Sequence, residues 1–180
     1  MKKRNYFYKY TCVLLTLGAL LSALVGCGVE AMPDYRTTPF KAELRYEMYG
    51  TVITAEMRAG SIEGDTGSGR DIELYFTSPP ELSGLCVRKA GGEISMIRGD
   101  TAVPISDNEA ALYSLAAAEL MTCEGELCKV EKIEENGVAM RRAVISAQRG
   151  DIDLFCDVAG VPKRITDGKL SVTVIRFQAE

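Results

Sequence analysis

The chain has 180 residues, with 25 Asp and Glu against 21 Lys and Arg, and no His. The acidic balance argues against nucleic acid as a partner, because phosphate is neutralised by clustered Lys and Arg. The absence of His removes the usual general base, the usual proton shuttle and the commonest metal ligand.

Lys2, Lys3, Arg4 and Lys9 precede an apolar run from Val13 to Val25, which ends on the small Gly26 before Cys27. A basic start, an apolar middle and a small-residue end read as a secretory signal. The run is shorter than the roughly 20 residues that a bilayer span needs. Leu24-Val25-Gly26-Cys27 resembles the lipobox of bacterial lipoproteins. That resemblance implies cleavage before Cys27, a diacylglycerol on its sulfur, and a protein anchored to the cell membrane on its extracytoplasmic face. Residues 1–26 are then signal peptide, 27–39 lipidated Cys and tether, and 40–180 a single domain. Removing 26 residues leaves 154, and since all four charges removed are basic, the net charge falls from −4 to −8. An acidic body offers no polybasic hold on anionic lipid. Two acyl chains on one Cys suffice for anchoring.

Cys12 leaves with the signal and Cys27 is the lipid site, so Cys86, Cys123, Cys128 and Cys156 remain for pairing. One or two disulfides are the first expectation, with all pairings open. Buried free thiols come second. A metal site comes third, because only Cys123 and Cys128 are near each other.

From Gly28 to Pro39 the chain is short, Pro-containing and without periodicity, and reads as a tether. The alternative for its second half is a first ordered segment packed on a sheet. Strand patterns then begin. Phe40, Ala42, Leu44, Tyr46 and Met48 alternate with Lys41, Glu43, Arg45 and Glu47. Beyond Tyr49-Gly50, Ile53, Ala55 and Met57 share one side. Residues 60–69 read as a loop, and no Gly-Lys-Ser/Thr makes its glycines a phosphate cradle. Ile72, Leu74 and Phe76 point inward in a third strand, with Asp71, Glu73 and Tyr75 outward, and Ser78-Pro79-Pro80 stops it. Residues 85–90 and 93–98 form a hairpin through Gly91-Gly92, and 101–105 follow Gly99-Asp100.

The one convincing helix covers about 106–122. Ser106 and Glu109 have capping-box spacing, and Leu112, Leu115, Ala116 and Leu120 fall roughly on one face. The last third is a meander turning at Asn136-Gly137, Gly150-Asp151 and Asp167-Gly168, with a short piece at 161–165. This is a mainly β (α+β) pattern of eight to ten antiparallel strands. A single sheet of that size must curl to bury one face, with the helix on its concave side.

The order of elements, Ser78 to Leu82 (Ser-Pro-Pro-x-Leu) and Pro162-Lys163-Arg164-Ile165 near the end resemble the LolA-like lipoprotein-carrier superfamily. The resemblance covers roughly Phe40 to Phe177 and implies an open half-barrel that holds lipid or acyl chains. The chain departs from that pattern in having no clear N-terminal helix before the first strand.

No catalytic constellation emerges, and no cofactor is implied. Arg98-Gly99-Asp100 and Arg149-Gly150-Asp151 both fall where the strand pattern reverses, and Gly-Asp is ordinary turn chemistry. Asp151 and Asp153 share the solvated side of a strand rather than facing one another across a cleft. The candidate ligand-binding residues are the inward ones: Leu44, Tyr46, Met48, Ile53, Met57, Leu74, Phe76, Met96, Leu154 and Val172. The leading expectation is a non-catalytic, membrane-anchored lipoprotein binding a lipid or acyl chain in the half-barrel. The alternative is an interaction protein with a closed core that engages an envelope protein partner through a sheet edge or loops.

Overall fold

The computed structural model describes residues 34–60, 70–105 and 109–180, with helix side chains from residue 115 onward. The signal, Cys27, the loop at 61–69 and the capping pair Ser106 and Glu109 lie outside the described residues and side chains.

Among the described residues eleven strands form one antiparallel sheet. Its first half comprises β1 (Phe40–Met48), β2 (Thr51–Gly60), β3 (Asp71–Ser78), β4 (Leu85–Ala90), β5 (Glu93–Arg98) and β6 (Thr101–Ile105). The helix α1 (Glu109–Met121) follows. The second half comprises β7 (Glu126–Glu135), β8 (Val138–Ala147), β9 (Gly150–Asp157), β10 (Pro162–Thr166) and β11 (Ser171–Ala179). The spatial order is β6-β5-β4-β3-β2-β1-β11-β10-β9-β8-β7. The count exceeds the expected eight to ten because the short piece before Asp167 pairs on both sides, with β9 and β11, and is a full strand.

This order explains the helix. The chain builds outward to one edge, crosses once, and returns from the other edge until β11 pairs with β1. Ten inter-strand gaps of about 4.8 Å would put the edges of a flat sheet about 48 Å apart, whereas a helix of 13 residues is only about 20 Å long. Curling brings the edges within reach. The helix accordingly packs on β3 from one half and on β10 and β11 from the other.

Its apolar residues are spread around the helix rather than confined to one stripe. Leu115, Ala117, Ala118, Leu120 and Met121 are buried, an arc of roughly 220° at 3.6 residues per turn. The sequence pattern placed Ala116 in the buried face, but Ala116 is half-buried while Ala117, Ala118 and Met121 are fully covered. A helix lying in a trough is covered on its flanks as well as beneath, so a single-stripe reading is too narrow. Glu119 on the remaining arc ties the two halves together. Its carboxylate lies 3.8 Å from Lys89 Nζ on β4 and 3.2 Å from Arg149 Nη1 in the β8–β9 turn.

Three two-residue turns place left-handed residues where tight hairpins require them: Tyr49-Gly50, Gly91-Gly92 and Asn136-Gly137. The β8–β9 turn differs from expectation. Ala147 already pairs with Gly150, so the turn is Gln148-Arg149, and Gly150 and Asp151 belong to β9. Asp71, read as outward, is buried, because the first residue of β3 lies beneath the β4–β5 turn and accepts from Gly91 N at 3.4 Å.

Candidate functional site

The concave face is built as the alternation required. Leu44, Tyr46, Ile53, Met57, Leu74, Phe76, Leu154 and Val172 are each at most 8 % exposed and belong to one core with Leu115, Ala117, Ala118, Leu120 and Met121 of α1. Met48 is half-buried against that core, and Met96, opposite Val87 on β5, is half-buried as well. The structure thus brings eight of the ten predicted residues together with the helix as packed interior. Burial alone pushes the Tyr46 phenol up.

One end of this interior is closed by residues read as tether. Asp34 caps a short 3₁₀ turn, Tyr35–Thr37, and Tyr35 is 6 % exposed. Its ring stands edge-on to Phe40 and Phe177 at 5.4 Å each. Its hydroxyl is buried without a hydrogen-bond partner among the described residues, and burial, with Cys123 and Cys156 nearby, pushes the phenol up. Arg36 holds the Asp34 carboxylate through Nε at 2.8 Å and Nη2 at 2.7 Å, while its Nη1 donates to the Cys123 carbonyl at 3.0 Å and the Gly125 carbonyl at 3.4 Å. Arg70 donates to the carbonyls of Arg36 and Thr38. From Asp34 onward the expected tether is therefore a docked strap. This is the alternative reading of that stretch, an ordered segment packed on the sheet, which pattern alone could not choose because one buried Tyr and two arginines have no period.

The four cysteines described are free thiols. Cys86 and Cys156 are buried on β4 and β9, Cys123 is half-buried beyond α1, and Cys128 is exposed on β7. Among the described residues the expected disulfides are not formed, and the second expectation, buried free thiols, is met at Cys86 and Cys156. Burial, reinforced by Asp157, pushes the Cys156 thiol up to about 12.

The outer face is polar and laddered. Arg142 bridges Glu131 and Asp153, with its Nε and Nη2 each 3.0 Å from the Asp153 carboxylate, and Arg164 holds Glu135 at 2.8 Å while lying 4.1 Å over the Phe155 ring. Asp153 is thus on the outer side as expected, as part of a cross-strand charge row. A groove of about 170 Å³ on the outside of β1, β2 and β11 is lined by Lys41, Glu43, Glu56, Arg58, Arg176 and Gln178. Its mixed charges select no single ligand class.

The two sheet edges differ. In the β5–β6 hairpin Arg98 and Thr101 close the turn, so the backbone of Ala102 and Pro104 faces away from β5. Pro104 therefore removes a donor from the free edge and none from the ladder, as an edge proline does. That proline inside a strand pattern was a readable edge signal. In the β7–β8 hairpin Glu135 and Val138 close the turn, so Val130, Lys132 and Glu134 turn both N–H and C=O outward. Among the described residues β7 ends the sheet, and no proline interrupts it.

No family model matches the chain, and no curated protein matches it. Solved structures are similar at low identity. An uncharacterized conserved protein from Thermus thermophilus is 14% identical with a TM-score of 0.47, covering 81% of this chain and 81% of that one. The MucA/MucB complex structure of Pseudomonas aeruginosa is 15% identical with a TM-score of 0.43, covering 81% of this chain and 53% of that one. A putative outer membrane lipoprotein-sorting protein domain from Vibrio parahaemolyticus is 9% identical with a TM-score of 0.37, covering 83% and 87%. Neither ligand nor partner is carried over from these likenesses.

Proposed function

We propose that this is a non-catalytic protein, anchored through Cys27 on the extracytoplasmic face of the cell membrane, whose closed core presents a sheet edge to an envelope protein partner. The observation that supports it is the contrast between the two edges. One is short and blunted by Pro104, while the other turns the backbone of Val130 and Glu134 outward. An extended segment adding to such an edge gains main-chain hydrogen bonds, with alternate side chains giving selectivity. The packed concave face favours this over the ligand reading, because an acyl chain would have to displace α1 side chains already buried there.

The experiment is a photo-cross-linker at Glu134 in the full chain, with and without Lys132→Pro. Pro at 132 removes an outward donor without touching the β7–β8 ladder. A polypeptide cross-linked at 134 and lost with Lys132→Pro, while the melting curve is unchanged, supports the reading. No cross-link, or one indifferent to Lys132→Pro, refutes it.

The apolar-ligand reading keeps one supporting observation: α1 turns the small Ala117 and Ala118 toward the concave face. Native mass spectrometry of detergent-free protein decides it. A co-purifying lipid lost with Met57→Asp in a folded variant would replace the closed-core reading.

A further inference from the structure

The strap fixes where the described chain begins relative to the sheet. Asp34 is held by Arg36, Arg36 by the carbonyls beyond α1, and Tyr35 by the Phe40 and Phe177 rings. Around it gather the near ends of the central strands. Arg70, just before β3, binds the strap backbone, Glu180 N donates to the Pro39 carbonyl at 3.0 Å, and Gly60 at the end of β2 lies against Pro39. The opposite end of β1 is the Tyr49-Gly50 turn, where Tyr49 is 80 % exposed at φ 52°. At about 3.3 Å per residue, the nine residues of β1 put that turn about 30 Å from the strap.

Only seven residue steps separate Cys27 from Asp34, which is at most about 25 Å of chain however it is arranged. A lipid on Cys27 therefore keeps the strap end within that distance of the bilayer, and the chain is too short to let the far turn point into it. The acidic body also disfavours lying flat on an anionic surface.

We infer that the end of the sheet carrying Asp34, Arg36, Arg70 and Glu180 faces the bilayer, and that the Tyr49-Gly50 turn points away from it. This rests on the proposed anchorage at Cys27. The docked strap supplies the constraint. Were the chain loose as far as Phe40, the leash would be nearly twice as long and every face could reach the membrane.

The test uses the full chain on phosphatidylcholine vesicles carrying head-group nitroxide lipid. In a Cys128→Ser background, a fluorophore is placed by Gln178→Cys at the strap end or Thr51→Cys at the far end, both exposed positions, with the labelled site confirmed by peptide mapping. Severalfold stronger quenching at 178 than at 51 is expected. Equal or reversed quenching on vesicle-bound protein overturns the orientation and leaves the anchorage standing. Flotation with the vesicles should be lost in Cys27→Ser. Protein with Cys27 intact that does not float overturns the anchorage and the orientation with it.

Discussion

Arg36 Nη1 lies 3.0 Å from the carbonyl oxygen of Cys123, 87 positions away in sequence. The contact joins the strap to the exit from α1. Thr122 and Cys123 continue the helical bonding to Ala118 and Leu120, so the guanidinium sits at the carbonyl-rich end of the helix, where a cation is favoured. Burial lowers the Arg36 pKa, but its bonds and charge pairing with Asp34 outweigh this and keep it raised. Arg36→Ala should cost about 1.5–3 kcal/mol, the range for hydrogen bonds to a charged group. Arg36→Lys should recover little, since an ammonium cannot reach the carboxylate and two carbonyls as a planar fork does. Denaturant midpoints of the three proteins check the ranking. Amide exchange at Thr37 and Thr38, bonded to the carbonyls of Asp34 and Tyr35, reports whether the strap is what is released.

The same pair makes the strap acid-sensitive. Burial raises the Asp34 carboxyl pKa, but the side-chain bond and charge of Arg36 outweigh it and hold it below the ordinary carboxylate range. A depressed folded pKa gives stability that is complete above the unfolded value, about 3.9 for Asp, and is lost as pH falls through the folded one. Strap amides should therefore lose protection relative to their intrinsic exchange rates, and the protein lose stability, as pH drops below about 4. Asp34→Asn should remove that part of the acid response and leave the rest, including that of Asp157, whose carboxyl is also held low, by the amides of Val161 and Ala159 and by Lys163. Equal acid midpoints for wild type and Asp34→Asn would exclude the pair as the cause.

Most of the sheet was legible because its code is local. Period-two burial in β1 to β3 and in β9 follows from residues two apart, and Gly91-Gly92 and Asn136-Gly137 carry their turn geometry in their own residue types, three of the four lacking a Cβ. What sequence could not yield depended on distant neighbours. Asp71 is buried by a turn 20 residues on, Ala117 and Ala118 are covered because the sheet wraps the helix, and Arg36 finds partners across the fold. Eight of the ten residues expected to face inward are buried and Met48 and Met96 half-buried, yet inward-facing does not distinguish lining from core. The volume of α1 in the trough decides that, and no pattern within a strand records it.

Gly125 is required by a close approach of backbone rather than by a turn. Its φ is not left-handed, but a Cβ there would meet the Ser146 carbonyl oxygen at 2.6 Å and Ile145 Cγ2 at 2.8 Å. The chain leaving α1 therefore passes directly against β8 before starting β7, and its carbonyl also accepts from Arg36. Backbone atoms cannot yield as a side-chain end can. Gly125→Ala should destabilise by about 1–3 kcal/mol through overpacking, although Ala is ordinarily the less costly residue to order. Thermal melting checks the sign. A stabilised Gly125→Ala would mean that the close approach is not present.

The register of β7 makes a sharper prediction, because two adjacent residues should respond very unequally to the same change. Ile133 pairs with Met140 with its N–H turned into the ladder, whereas Glu134, opposite Ala139, turns its N–H to the open edge. Ile133→Pro removes a ladder bond and forces the ring against β8, a loss of about 3 kcal/mol or more by analogy with proline in ordered backbone. Glu134→Pro removes only an outward donor, as Pro104 already does on β6, and should cost far less. Equilibrium unfolding of the two variants reads the difference directly. If Glu134→Pro were the more damaging, the hairpin would be paired one residue out of the register seen here, and the backbone offered at the edge would be that of Glu131 and Ile133 instead of Val130, Lys132 and Glu134.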